Sequence, residues 1–229
     1  MGTLHAIPQQ NHSESDGNIS LASIAEPICE DLVSVDRHIN EQLTSDIEAI
    51  RQIGAYLVAA GGKKLRPITL LLATKVLNYR GTDHITLAAV IELIHTATLM
   101  HDDVVDKSEL RRGQKTGNEI WGNAASVLVG DFMYSRSFEM MVTVNRMRVM
   151  EIMASTTNAI AEGEVMQLLQ INSPEVNEDD YLATIERKTA RLFQSATHLA
   201  AVLAAADLLS EKALMAYGLN LGIAFQISD

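Results

Sequence analysis

The sequence predicts a single all-α domain over residues 19–229. Three observations predict it. Apolar residues recur at three- and four-residue spacing in one segment after another, the pattern of amphipathic helix. The chain has only 4 Pro among 229 residues, and Ala, Leu, Met and Glu, which favour helix, are plentiful. No stretch alternates apolar and polar residues as a half-buried strand would, and no long linker or short repeat intervenes. A chain of this length buries a sizeable core as one domain.

The elements follow in order. Met1 to Asn18 is polar, lacks the apolar core of a targeting signal, and reads as a disordered tail. Ile24, Ile28, Leu32 and Val35 share one face of a first helix. Leu43, Ile47, Ile50, Ile53 and Leu57 share a face of a second, which Gly61-Gly62 should end. Pro67 suits the first turn of a third helix running to about Leu77, with Asn78-Tyr79-Arg80-Gly81 as its exit. Thr82 or Asp83 can cap the fourth, an apolar run that leads to Asp106. Further helices are expected over about 119–143, 146–172, 178–207 and 210–229, with Ser173-Pro174 as a break. The Ala-rich run Leu199 to Leu209, interrupted by Asp207, reads as a buried helix.

Composition narrows the function classes. A net charge of −11 argues against a nucleic-acid backbone as partner. It also repels phosphorylated substrates unless a metal and local cations invert the field. The single cysteine, Cys29, has no internal partner, so a reducing, cytoplasmic compartment is expected. No apolar run reaches the ~18 residues of a membrane-spanning helix.

The chemistry concentrates in His95–Asp106, His-Thr-Ala-Thr-Leu-Met-His-Asp-Asp-Val-Val-Asp. Asp102 and Asp106 are four apart and share a helix face, where they repel each other and the negative end of the helix dipole. A cation held there offsets that cost. Oxygen-only ligands suit a hard cation, and Mg²⁺ typically shares one or two carboxylates with substrate phosphates. Arg111, Arg112 and Gly113 follow, so a metal and a phosphate can be held side by side. Gly61-Gly62-Lys63-Lys64-Leu65-Arg66-Pro67 sets three cations at a helix start, where Lys63, Arg66 and backbone N–H groups can grip an anion. His95 lies two turns before Asp102 on the same face. Glu162, Gly163, Glu164 and Gln167 place polar groups, and a glycine costing roughly 1 kcal/mol against alanine, inside an otherwise apolar helix. That cost points to close packing or a ligand.

These segments, GGKKLRP, HTATLMHDDVVD with its RRG, GNAASVLVGD (122–131), AEGEVMQL (161–168), KTARLF (188–193) and AFQISD (224–229), occur in one order. Together they resemble the trans-isoprenyl diphosphate synthases, in particular bacterial long-chain polyprenyl enzymes of the octaprenyl diphosphate synthase type. The resemblance covers residues 19–229. It implies an isoprenoid-synthase helical fold around a deep central cavity, a homodimer, and repeated condensation of isopentenyl diphosphate with an allylic diphosphate.

Carried over by motif, Asp102 and Asp106 are implied to bind Mg²⁺, with Asp103 in support. Arg111 is implied to hold the allylic diphosphate, with Lys188, Thr189 and Gln226 on the opposite wall. Lys63, Arg66, His95 and Arg112 are implied to hold isopentenyl diphosphate. Asp102, Asp103, Asp106, Arg111 and Lys188 are thereby expected to be the catalytic set. Departure of pyrophosphate leaves an allylic cation, so its charge must be neutralised and water excluded.

Small residues at Ala97 and Thr98, below the aspartates, leave room for a long prenyl tail running toward the N-terminal part of that helix. Ala97→Tyr is expected to shorten the product. Met133, Phe138 and Met141 are candidates for the floor. Two departures from the family pattern stand out. Gln114-Lys115-Thr116 lacks the proline common after the RRG, and Asp229 falls on the first aspartate of a second acidic motif, where it is expected to be a further metal ligand. The stripe Leu214, Tyr217, Leu221 and Phe225 runs to the terminus without a stop signal, so the domain is expected to be incomplete at its C-terminus. Alternative readings are a non-catalytic partner subunit of a full-length synthase, and another terpenoid enzyme such as a cyclase, against which GGKKLRP argues.

Overall fold

The computed structural model describes residues 20–59, 61–171, 173 and 175–228. The expected tail at residues 1–18, Pro174 and Asp229 lie outside the described residues. Helix α5 (Asp83–Val105) is the axis of the fold. Leu87 to Ile91, Leu93, Ile94, Ala97 and Met100 are buried along it, so it is apolar nearly all round, as a helix enclosed by others must be. Around it pack α2 (Cys29–Gln42), α4 (Leu65–Val76), α7 (Asn123–Thr143) and α10 (Arg191–Leu203). The all-α expectation holds, and the axis delivers the acidic motif to its own C-terminal end.

The remaining elements are α1 (Leu21–Ala25), α3 (Glu48–Ala59), α6 (Gly117–Trp121), α8 (Met147–Gln170), α9 (Glu178–Ile185) and α11 (Leu208–Ser228). Ser20 caps α1 by accepting from Ser23 N–H, and Pro27 then enforces a short 3-10 turn before α2. The expected first helix is thus broken in two. The second begins later than its apolar pattern, at Glu48; Leu43 is buried beyond the end of α2, and Ile47 is exposed. At the start of α5 neither Thr82 nor Asp83 makes a side-chain cap, because Asp83 accepts a hydrogen bond from Tyr79 instead.

Four further boundaries differ from the sequence pattern. Gly122, at φ 84°, separates α6 from α7 where one helix was expected. The Leu199–Leu209 run is not one helix: α10 stops at Leu203, Ala205 turns at φ 50°, and Asp207 caps α11 through Ser210 N–H at 2.8 Å. The RRG forms a hairpin, β1 (Leu110–Arg111) pairing with β2 (Gln114–Lys115). Its loop residues Arg112 and Gly113 have φ of 54° and 78°, the positive pair that a type I′ turn needs. Strands of two residues carry no legible alternation.

The fourth difference is a π-helical turn, Glu186–Ala190, between α9 and α10. Two glycines allow neighbouring helices to grip it. A Cβ at Gly163 of α8 would lie 2.7 Å from Lys188 N, and one at Gly222 of α11 would lie 2.5 Å from Ala190 Cα. Both clashes are with backbone, which cannot step aside. The close packing anticipated at Gly163 is therefore against the turn that carries Lys188 and Thr189. Gly163→Ala is expected to lower stability by about 1–3 kcal/mol in urea unfolding, despite its better helix propensity.

Candidate functional site

A cavity of about 630 Å³ opens at the C-terminal half of α5. From α5 it receives Glu92, His95, Thr98, Leu99 and Asp102, a stripe at helical spacing. The turn before α4 contributes Lys63 and Lys64, the first turn of α4 Leu65 and Arg66, and the hairpin Leu110, Arg111 and Arg112. The opposite wall is Glu164 of α8, Lys188 and Thr189 of the π turn, and Phe225 and Gln226 of α11. Six cationic and three acidic side chains thus face one space, in a chain whose net charge is −11. The field is inverted locally, as a polyanion requires.

Most of the residues singled out by sequence meet here. Lys63, Arg66, His95, Thr98, Asp102, Arg111, Arg112, Lys188, Thr189 and Gln226 line the cavity. Asp103 does not. It is buried behind the wall and accepts two-pronged hydrogen bonds from Arg111 Nε and Nη2 at 2.8–3.1 Å. Its visible task is to aim that guanidinium. Asp106 stands exposed at the α5 C-cap, outside the cavity. Asp229 lies outside the described residues.

Helical spacing separates Asp102 from Asp103, which are one residue apart and diverge. Asp106 keeps the Asp102 face, its N–H donating to Asp102 O at 2.7 Å, but stands one turn further along, past the cavity. Among the described residues, no three His, Cys, Asp or Glu side chains form a group that could hold a metal.

A second, apolar chamber of about 420 Å³ adjoins the first. Thr98, Asp102 and Glu164 line both, and Val105, Tyr134, Ile160, Ala161, Val165 and Leu168 line only the second. It lies between the C-terminal third of α5, α7 and α8, rather than along the N-terminal part of α5. Thr98 borders it, but Ala97 is wholly enclosed in the core and borders neither chamber. Met133 and Met141 are core residues too; from α7 the chamber receives Tyr134 and, paired with His101, Asp131. Periodicity could not distinguish an α5 side chain packed against α7 from one facing open space.

Electrostatics differ sharply from residue to residue. Burial lowers the Arg66 pKa to about 10, partly offset by Glu92, so the guanidinium stays charged at neutral pH. It stacks over Phe193, 4.7 Å from the ring centroid, and its buried Nε has no hydrogen-bond partner. A buried donor without a partner is costly. Glu92, missed by sequence reading, is pushed up by burial and held back by Arg66, Lys64 and Arg112. Its three-residue offset from His95 was the available signal.

Lys64 is tied to Asp36 of α2, which leaves Lys63 as the exposed lysine of the turn. Lys188 Nζ lies 2.6 Å from Glu164 Oε2 and 3.3 Å from Asp102 Oδ2. Burial alone would lower its pKa, but the Glu164 hydrogen bond and the two negative charges outweigh that and raise it. Glu164 itself is raised to about 6 by burial and by Asp102, against the pull of Lys188. On the same wall Thr189 donates to Gln226 Oε1 at 2.8 Å. Gln167 Oε1 is buried without a partner, so no pairing in the core accounts for it.

The comparisons with known proteins agree with this geometry. The polyprenyl synthetase family matches residues 47–229, and the chain belongs to that family. It is 48% identical over 211 residues to octaprenyl diphosphate synthase of Escherichia coli, covering 92% of this chain and 65% of the relative. A decaprenyl diphosphate synthase from Rhodobacter capsulatus superposes with TM-score 0.88 at 46% identity, over 91% of this chain and 64% of that one. A Caulobacter crescentus polyprenyl synthase, solved in complex with calcium and isoprenyl diphosphate, gives 0.89 at 44%, over 92% and 64%. This chain therefore spans about 65% of the length of the E. coli relative. Among its described residues no helix is long and apolar enough to cross a membrane.

The site carries a pH signature. His95 is held well below 6.5 by burial and by the charges of Arg66, Arg112 and Arg111, so it is neutral when folded. Below about pH 6.5 the unfolded chain takes up a proton that the folded chain refuses, so stability falls as pH drops. Glu164, raised to about 6, acts in the opposite sense between that value and its ordinary one. Replacing His95 by Gln is expected to remove up to about 1.4 kcal/mol of acid destabilisation per pH unit, read by urea unfolding below about pH 6.5.

Proposed function

We propose that the protein is a Mg²⁺-dependent trans-prenyltransferase. It condenses isopentenyl diphosphate repeatedly with an allylic diphosphate such as farnesyl diphosphate to give a long all-trans polyprenyl diphosphate. By likeness to its relatives the product is octaprenyl; a quinone side chain as its destination, the cytoplasm as the compartment and a homodimer as the working state are part of the same proposal. The observation that carries this reading is the pairing of two chambers. A cation-rich chamber suited to diphosphates meets an apolar one suited to a prenyl tail, and Asp102 sits at their junction.

The residues divide the work. Arg111, fixed by Asp103, and Lys188 neutralise charge on the departing pyrophosphate, so that carbon–oxygen cleavage leaves an allylic cation. Lys63, Arg66, Arg112 and neutral His95 orient isopentenyl diphosphate so that its alkene meets that cation. The apolar walls exclude water, which would otherwise capture it. A proton is then lost to restore a double bond, and the released pyrophosphate is the base closest to hand.

The donor set fits Mg²⁺. Asp102 offers oxygen ligands at the cavity wall, and the substrate's phosphates would complete an oxygen shell. When bound, the ion supplies charge neutralisation at the leaving group. Asp106 is the second carboxylate proposed for it, and Asp229 a third.

The test is turnover of the 229-residue chain with farnesyl diphosphate, labelled isopentenyl diphosphate and Mg²⁺, products being sized by chromatography. A long polyprenyl product, abolished without Mg²⁺ and reduced by at least about 100-fold in Asp102→Asn, is expected. Folded chain that never turns over contradicts the reading. Turnover gained only by adding a full-length synthase would point instead to a partner subunit.

A further inference from the structure

The proposed reaction leaves Glu164 without a role, although it stands where the two chambers meet. Its Oε2 accepts a 2.6 Å hydrogen bond from Lys188 Nζ, and Asp102 Oδ2 lies 3.3 Å from the same nitrogen. Two carboxylates therefore compete for one ammonium, and Glu164 holds it more closely. Were Lys188 paired with Asp102 alone, it would cancel the charge that a divalent cation needs at that carboxylate. A neighbouring acceptor removes the conflict.

The backbone makes this arrangement stiff. Gly163 presses α8 against the π turn so closely that a Cβ would sit 2.7 Å from Lys188 N. On the other side of that glycine Glu162 Oε2 lies 3.8 Å from Arg187 Nε. Consecutive α8 carboxylates thus face consecutive cations of the π turn, and Glu164 is the one that reaches the cavity.

We propose that Glu164 is a positioning residue: it takes up the Lys188 ammonium, leaving Asp102 free for a divalent cation while Lys188 still faces the diphosphate. This inference rests on the proposed function. Glu164 acts through Lys188, which separates it from a direct cation ligand.

A double-mutant cycle decides between those roles. Mn²⁺ binding to the 229-residue chain is read by electron paramagnetic resonance with saturating pyrophosphate, for Glu164→Gln with Lys188 present and with Lys188→Met. With Lys188 present, Glu164→Gln is expected to weaken Mn²⁺ binding about tenfold, the lower end for residues that support a metal ligand. In the Lys188→Met background the same change is expected to matter less than about twofold. Glu164→Asp, which keeps the charge, should recover part of the loss.

Equal weakening in both backgrounds, or none in either, overturns the proposal and leaves the metal–diphosphate reading standing. A parent chain that binds no Mn²⁺ with pyrophosphate overturns that reading, and this inference with it.

Discussion

The Lys188 ammonium, held between Asp102 and Glu164, joins three elements that are separate in sequence: the end of α5, the C-terminal third of α8 and the π turn. The other features of the site depend on that meeting. It sets the distance between the acidic and cationic walls, and it marks where the polar chamber gives way to the apolar one. It also explains two features that local propensity disfavours. Gly163 weakens α8 as a helix, and the π turn breaks a run that would otherwise be continuous, yet each is needed to bring Lys188 within reach of both carboxylates.

Charge is arranged against the average of the molecule. The chain is acidic, and the cavity gathers six of its 18 lysines and arginines. Gathering them is costly, and the structure shows where the cost falls. Burial lowers the Arg66 pKa, His95 is kept neutral, and Glu92 and Glu164 are drawn in as partial counter-charges. A cavity whose cations are already held in place by carboxylate partners is preorganised for a polyanion, because the reorganisation is completed before the ligand arrives.

Much of this was legible in the sequence, and the remainder was not for identifiable reasons. The apolar run of α5 and the paired glycines after α3 gave the helical frame, and the ordered motifs gave ten of the cavity residues. Arg112 and Gly113 were read as chemistry, and their second role as a type I′ loop was hidden by strands too short to show a pattern. The π turn left no periodic trace, since one inserted residue merely shifts the phase of an apolar stripe. Glu164 was noticed as a polar residue in an apolar helix, but its partner lies 24 residues away on another element. Ala97 illustrates the limit of counting along a helix: its face is correct to within one residue, and that residue separates the enclosed core from the surface at Thr98.

The central claim is that one metal-bridged diphosphate lies between Asp102 and the cations of the facing walls, with its prenyl tail in the apolar chamber. A crystal structure of the chain with Mg²⁺ and a non-reactive thiolo analogue of farnesyl diphosphate tests it most directly. The account predicts Mg²⁺ at about 2.0–2.1 Å from an Asp102 oxygen, the diphosphate against Arg111 and Lys188, and the tail beside Tyr134 and Leu168. A diphosphate bound away from Asp102, or a tail that leaves the α5–α7–α8 chamber empty, would contradict it.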